Sequence, residues 1–153
     1  MKYVVFILFS LALLTACGNN SSKDQKEVEQ CATQFAEAFY NYDFNSAGEL
    51  VTLEAARLLT FIGSNITQED IDVLNSQKEG PAIEITDYHQ TNDTLWRIRL
   101  TVSNYMEMDS IGSTMQLRNN GEAELTLVKH DGKWLVKTVR TEAPQRSGTH
   151  NRD

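Results

Sequence analysis

The spacing of apolar residues changes once along this chain, near Ala82. Between residues 28 and 76, apolar residues recur every three or four positions, as on the buried face of an amphipathic helix. After Ala82 they alternate with polar residues, as in a strand with one buried face. Helices followed by a series of strands predict an α+β fold, with the helices packed on one face of a curved antiparallel sheet.

Four helices are predicted before this change. Apolar residues at helical spacing predict the first over residues 25–41, with Asp24 as its cap. Each of the others begins with a side chain that can accept a hydrogen bond from an N–H group of the first turn. These predicted caps are Asp43 or Ser46 for the second helix, Thr52 for the third and Thr67 for the fourth, over 68–76, where Thr67 forms a capping box with Asp70.

Four strands are predicted after the change. The first covers residues 83–90, and the second follows from a strict alternation that starts at Trp96. The third is long, and Asn119-Asn120-Gly121 is expected to bulge or break it. Asp131-Gly132 predicts a type I′ turn into the last strand. The apolar residues that share the parity of the third strand are Met115, Leu117, Ala123, Leu125 and Leu127.

Residues 1–17 have the layout of an export signal. Lys2 supplies a positive charge, residues 3–14 are uncharged and largely apolar, and small residues precede Cys17. The apolar run is shorter than the roughly 20 residues that a membrane-spanning helix needs. Leu14-Thr15-Ala16-Cys17 resembles the bacterial lipobox, which implies that residues 1–16 are removed and that Cys17 carries lipid, palmitate included. The alternative is an ordinary signal peptide with an incidental cysteine.

The predicted lipid defines the location and the domain limits. Gly18 follows Cys17, so the aspartate that often retains lipoproteins in the inner membrane is absent, which favours the outer membrane of the cell envelope. Residues 17–24 are predicted as a lipidated cysteine and a flexible polar tether. Residues 25–140 are predicted as one domain, and residues 141–153 as a polar tail.

Charge and cysteine content exclude some functions. The net charge of −7 argues against nucleic-acid binding, which requires a basic surface. With Cys17 lipidated, Cys31 has no cysteine to pair with inside the chain. Cys31 lies among apolar residues at helical spacing, so a buried structural side chain is favoured over a catalytic thiol.

Two segments resemble the nuclear-transport-factor-2-like superfamily, which includes cystatin-like and SnoaL-like domains. They are Asn-Tyr-Asp-Phe-Asn-Ser-Ala at residues 41–47 and Leu-Val-Lys-His-Asp-Gly-Lys-Trp-Leu-Val at residues 127–136. Within that superfamily, the chain is similar to small bacterial lipoproteins of unknown function. The resemblance implies a cone made of a curved sheet wrapped around helices, with a cavity at its wide end.

No catalytic motif, metal-ligand spacing or cofactor motif occurs in the chain, so no catalytic residue, metal or cofactor is expected. A cavity for a small ligand is the favoured site, although the same side chains could simply fill the core. The candidate lining residues are Phe35, Phe39, Phe61, His89, Trp96, Ile98, Tyr105, Met106 and Met108. The alternative is a small enzyme of ketosteroid isomerase or SnoaL-like type, for which Tyr40, Tyr42, Asp43, Asp87, Tyr88, His89 and Tyr105 are the available groups.

Two surface features remain open. Val128, Leu135 and Val139 are predicted on the outer sheet face, among Arg97, Arg99, Glu124 and Lys137, where they could mark a homodimer or an envelope-protein interface. Thr94 and Ser110 each follow an aspartate and precede an aliphatic residue, a pattern that resembles an O-glycosylation signal of exported proteins in some Gram-negative anaerobes.

Overall fold

The structure, a computed structural model, describes the backbone of residues 19–110 and 112–142 and the side chains of 21–110 and 112–141. The predicted signal peptide, Cys17 and the predicted tail from residue 143 onward lie outside the described residues. The helices are α1 (Asn19–Tyr40), α2 (Phe44–Gly48), α3 (Leu53–Gly63) and α4 (Gln68–Asn75). The strands are β1 (Ala82–Asn92), β2 (Leu95–Glu107), β3 (Gln116–His130) and β4 (Lys133–Glu142).

The predicted α+β architecture is confirmed. The strands form one open antiparallel sheet in the order β1-β2-β3-β4, and helix α1 packs against all four of them. Alternate residues of the strands face α1 and form the core, which removes their apolar surface from water. The fully buried members of this core include Phe35, Ile98, Leu100, Leu125, Leu127 and Val136.

Helix α1 begins at Asn19, six residues before its predicted start, so the predicted tether is helical from that residue on. Asp24 is therefore an interior residue of α1 and not its cap. Its carboxylate accepts a hydrogen bond from Lys129 Nζ at 2.7 Å, and that ammonium lies 5.4 Å from the centre of the Trp134 ring. This contact attaches the first turns of α1 to the sheet, which the polar composition of the segment did not indicate.

Side-chain caps start the three shorter helices. Asp43 caps α2 by accepting from the Ser46 N–H, which confirms one of the two predicted starts, and the helix therefore begins before Ser46. Thr52 caps α3, as predicted. The predicted capping box of α4 is also present, with the Asp70 carboxylate accepting from the Thr67 N–H at 2.8 Å.

The position of α3 is set by the outer edge of the sheet. Val51 forms a parallel bridge with Val136 of β4, and the Val136 N–H donates to the Leu50 carbonyl at 2.8 Å. Helix α3 starts immediately after this bridge and then packs against α2 and β4. Only Leu59 of this helix is buried, so α3 covers the end of the sheet loosely.

Departures from strict alternation redirect side chains in the sheet, and the first is a register shift in β1 between Ile85 and Asp87. In β2, Asn104 has a φ of 56°, and the next residue, Tyr105, is buried, although alternation alone would place it outward. Between β3 and β4 the register shifts near Lys137, as at a β-bulge. Val139 therefore packs against the core, and its prediction on the outer face is wrong.

The third strand also differs from its prediction. It runs without a register shift through Asn119-Asn120-Gly121, so the expected bulge is absent from its pairing with β2. Leu117 is 53% exposed rather than buried, whereas Ala123, Leu125 and Leu127 are buried as predicted. The type I′ turn is confirmed, because Asp131 and Gly132 have φ values of 49° and 79°. In the described part of the chain, no helix is long and apolar enough to cross a membrane.

Candidate functional site

A cavity of about 230 Å³ lies where the C-terminal end of α1 meets the end of β2. We call it the first cavity. Its walls are mainly aromatic rings and methionine side chains, and residues from the end of α3 and the segment after it complete the lining. The lining residues are Phe39, Tyr40, Tyr42, Phe44, Ile62, Asn65, Ile66, Tyr105, Met106, Glu107, Met108 and Thr141.

A larger cavity of about 460 Å³, the second cavity, lies beneath α3. Phe39, Ile62 and Thr141 line both cavities, so the two spaces meet at these side chains. The other walls of the second cavity are mostly apolar, and Glu54 and Lys137 are its charged members. They include Phe35, Val51, Ala55, Leu58, Leu59, Thr138 and Val139.

Three tyrosines form the polar end of the first cavity. Tyr40 and Tyr105 pack edge to face, with ring centres 5.2 Å apart, and are 7% and 5% exposed. Among the described residues, no hydrogen-bond partner exists for either of these two hydroxyl groups. The Tyr42 hydroxyl donates to the Met106 carbonyl at 3.0 Å. Two hydroxyl groups are thus left to donate hydrogen bonds to a molecule in the cavity.

Burial and negative charge keep these phenols protonated. Burial, and then the Glu107 carboxylate, raise the pKa of Tyr42 to about 12. Burial is also the largest cause of the raised pKa values of Tyr40 and Tyr105, to which the charge of Glu107 adds. These effects require the phenols and the carboxylate to lie near one another. At neutral pH the tyrosines are therefore neutral hydrogen-bond donors.

The carboxylate at this polar end is already paired. Glu107 Oε2 accepts from Arg118 Nε at 3.2 Å, and Arg118 also contacts the Asp109 carboxylate. An ion pair holds the guanidinium between two acids and leaves a net negative charge beside the tyrosines. A ligand with its own negative charge is disfavoured at this end of the first cavity.

Backbone geometry at Asn104 and Gly121 makes room for Tyr105. The left-handed conformation of Asn104 is tolerated by an asparagine, and its side-chain amide donates to the Glu79 carbonyl at 2.7 Å. A Cβ atom at Gly121 would lie only 2.8 Å from Tyr105 Cζ and closer still to the hydroxyl. Gly121 is therefore needed because the Tyr105 side chain lies directly over it, and not because of a bulge.

The predicted lining residues fall into separate places. Phe39, Tyr105, Met106 and Met108 line the first cavity, and Phe35 and Phe39 line the second. Trp96 and Ile98 are buried in the core and line neither cavity. Phe61 is 53% exposed on the outer side of α3, which is not where the prediction placed it.

His89 lies on the opposite face of the sheet from the cavities, so its prediction as a lining residue is wrong. It is exposed, and it borders a shallow hollow of about 300 Å³ with Asp87, Arg97, Arg99 and Glu124. Helix α1 covers the other face, which carries the buried residues Trp96 and Ile98 that alternate with the two arginines along β2. Asp87 and His89 therefore cannot act as an acid–base pair in either cavity.

Several lining residues were missed in the sequence. Ile62, Asn65 and Ile66 lie at or just after the end of α3, whereas Thr141 lies on β4, and the fold alone brings these two parts of the chain together. Glu107 was missed because it follows the break in alternation at Asn104. A signal for the second cavity exists in Ala55, a small residue on the face of α3 next to the sheet.

The remaining candidate groups have structural surroundings. The Cys31 Sγ donates to the Trp134 carbonyl at 3.2 Å, and burial raises the pKa of the thiol to about 11, which makes it a poor nucleophile. Over residues 21–110 and 112–141, no three metal-ligating side chains come together. Thr94 lies exposed in the β1–β2 turn and Ser110 in the exposed loop after β2.

Comparison with known structures identifies the fold. A nuclear-transport-factor-2-like protein of unknown function from Shewanella oneidensis superposes with a TM-score of 0.55 at 10% identity, over 78% of this chain and 99% of that chain. The fold of the domain is nuclear-transport-factor-2-like. A ketosteroid isomerase-like protein from Erwinia carotovora atroseptica superposes with a TM-score of 0.50 at 14% identity, over 80% and 98% of the two chains. No family profile and no curated protein sequence matches the chain.

Proposed function

We propose that this protein is anchored to the cell envelope by lipid on Cys17 and that it binds a small apolar molecule without transforming it. The observation that carries the binding proposal is the first cavity. Its aromatic and thioether walls surround two tyrosine hydroxyls that lack a partner among the described residues. Largely apolar walls with a few directional polar groups are typical of small-molecule sites.

The size of the site fits this role. Pockets that hold drug-sized ligands enclose about 300–1,000 Å³, and the two adjoining cavities measure about 230 and 460 Å³. A tightly packed interior would leave few spaces larger than a water molecule. The space beneath α3 is therefore large enough to accept a small molecule.

The binding proposal can be tested with Nile red, a neutral dye whose fluorescence rises in apolar surroundings. Ile62 lines both cavities, so Ile62→Trp should fill the space and abolish the rise. Phe61→Trp is the matched control, because Phe61 is the neighbouring residue but lines neither cavity. Equal fluorescence for the two variants, with both folded by circular dichroism, would refute binding in the cavities.

The anchor proposal depends on the residues that precede the described fold. A basic residue, an apolar run and a complete lipobox support it, and two or three acyl chains hold a protein durably at a membrane. Radiolabelled palmitate should label wild-type protein and Cys31→Ala but not Cys17→Ala, in the bacterium that makes the protein. Equal labelling of the two alanine variants would contradict the lipid-anchor proposal.

An interface on the outer sheet face is the weaker proposal for a partner. Val128 and Leu135 pair directly across β3 and β4 and are half-buried, but Val139, the third predicted member, faces the core. Two adjacent apolar residues make a small patch compared with the area that a stable dimer buries. Native mass spectrometry would support a homodimer only if Leu135→Lys converted a dimer mass to a monomer mass.

A small enzyme of ketosteroid isomerase type is the second candidate, and Glu107 beside three tyrosines is the observation that favours it. A carboxylate can abstract a proton while phenols stabilise the resulting oxyanion. However, the Glu107 carboxylate already accepts a hydrogen bond from Arg118, so one of its oxygens is occupied. Turnover of a steroid enone substrate that is lost in Glu107→Gln would favour the enzyme over the binding protein.

A further inference from the structure

The two cavities lie side by side, and we call them together the groove. Phe39 on α1, Ile62 on α3 and Thr141 on β4 line both spaces, so the cavities adjoin at these three side chains. The tyrosine hydroxyls and Glu107 lie at the end of the first cavity, and the second cavity extends from there beneath α3. The groove is therefore polar at its tyrosine end and mostly apolar elsewhere, with Glu54 and Lys137 as the charged residues of the second cavity.

The outer end of the groove opens beside an apolar surface. Leu58 lines the second cavity and is 57% exposed. On the same helix, Leu53 is 74% exposed and Phe61 is 53% exposed. An apolar chain that leaves the second cavity past Leu58 would thus continue over apolar side chains and would not meet water immediately.

The polar end selects the head of such a molecule. The Tyr40 and Tyr105 hydroxyls can donate to an oxygen atom of the ligand, since they have no acceptor among the described residues. The nearby Glu107 and Asp109 carboxylates share a single guanidinium, which leaves an excess negative charge. A carboxylate head would be repelled there, whereas an alcohol or ester oxygen would not.

We propose that the ligand is a single-chain neutral lipid, with an alcohol or ester oxygen at Tyr40 and Tyr105 and its alkyl chain extending past Phe39 into the second cavity. This inference rests on the proposed binding function and specifies its ligand class. The unbranched chain follows from the arrangement of the site, because a flexible alkyl chain can reach from one of the two adjoining, largely apolar spaces into the other. A compact ligand would fill the first cavity only.

Chain length tests the path. Displacement of Nile red by hexanol, decanol and tetradecanol should show affinity rising by about fourfold for each methylene, as expected when each is buried. Ala55→Trp should fill the second cavity alone, so it should leave hexanol binding intact and stop the rise with longer chains. Retained hexanol binding shows that this variant is folded.

Head charge tests the orientation. Wild-type protein should bind dodecanol more tightly than dodecanoate at neutral pH, and Glu107→Gln should reduce this preference by roughly tenfold, as expected when a nearby like charge is removed. Glu122→Gln makes the same change on an exposed residue that lines neither cavity, and it should leave the preference unchanged.

The outcomes separate the two proposals. Affinity that stops rising at hexanol in the wild type, or an Ala55→Trp variant that binds tetradecanol normally, would overturn the extended path. Equal affinity for dodecanol and dodecanoate in the wild type would overturn the neutral head. Either result with Nile red still bound leaves the binding function standing, whereas absence of both dye and alkanol binding overturns the function as well.

Discussion

The space between α1 and the sheet is closed at one end and open at the other. At the first, the beginning of α1 packs on β2, β3 and β4 through Val28, Ala32, Trp96, Leu127 and Trp134, all of them buried. At the second, the last turn of α1 ends beside the two cavities. One helix and one sheet build both ends, so the difference lies in what fills the space between them.

Two features account for the contrast. Large rings from the sheet fill the closed end, while small residues of α1 let them approach closely. At the open end α3 should provide the filling, but it presents Ala55 toward the sheet and exposes Leu58. The closed end therefore supplies most of the stability, and the open end is less tightly packed.

The largest effect on stability should come from truncating a buried side chain at the closed end. Leu127 is fully buried, so Leu127→Ala should lower the free energy of unfolding by about 2–5 kcal/mol. Ile62→Ala at the open end should cost less than about 1.5 kcal/mol, since the cavity already exists there. Urea unfolding measures both variants. Equal losses would contradict the contrast between the two ends.

A second, smaller effect should come from overfilling the open end. Gly121→Ala places a methyl group against the Tyr105 ring and should destabilise the fold by about 1–3 kcal/mol. Tyr105→Leu removes the ring, so adding it to Gly121→Ala should restore part of the loss. A double-mutant cycle by thermal unfolding measures the coupling, and purely additive losses would show that the close contact is absent.

Alkaline pH should weaken the two ends in different ranges. The pKa of Cys31 is raised from 9.0 to about 11 and that of Tyr42 from 10.0 to about 12. A group whose pKa is raised by folding stabilises the folded state while it is protonated. This contribution is complete below the pKa of the unfolded state and is lost as the pH rises toward the pKa of the folded state. The stability of the wild type should thus begin to fall at about pH 9, and that of Cys31→Ala only at about pH 10. In Tyr42→Phe, the fall above pH 10 should be less steep than in the wild type. Melting temperatures across this range provide the test, and three parallel curves would refute it.

The smallest effect concerns the ion pair that closes the packed end. Lys129 and Asp24 are partly buried, with side-chain exposures of 29% and 20%. Lys129→Met keeps the aliphatic stem and should cost about 1 kcal/mol at low salt and less at molar salt. Lys133→Met, a change at an exposed residue without an ion pair among the described residues, is the matched control. The same loss at both salt concentrations would show that the charge contributes nothing.

Local chemistry made the regular part of the fold predictable. Helical periodicity, the Thr52 and Thr67 caps and the Asp131-Gly132 turn depend on neighbouring residues, so a single sequence contains the information. The start of α1 was missed because Asp24 is stabilised by Lys129, a residue more than a hundred positions away. Such a contact leaves no periodic signal.

The site was less predictable because it depends on irregularities. Phe39 and Tyr105 were placed beside a cavity by the resemblance to a known fold, but His89 and Phe61 were assigned to it without knowledge of the facing direction. His89 follows a register shift in β1, and Phe61 lies on the loosely packed helix α3. In the same way, Val139 faces the core because it follows the register shift in β4. Composition cannot reveal which single residue adopts the exceptional backbone conformation.

The most direct test of the account is methyl NMR of methionine-labelled protein during titration with decanol. Met106 and Met108 line the first cavity, whereas Met115 is buried but lines neither cavity. If decanol binds in the first cavity, the methyl resonances of Met106 and Met108 should shift on titration while that of Met115 stays in place. Unchanged resonances for Met106 and Met108, or equal shifts of all three, would contradict a ligand site at the open end.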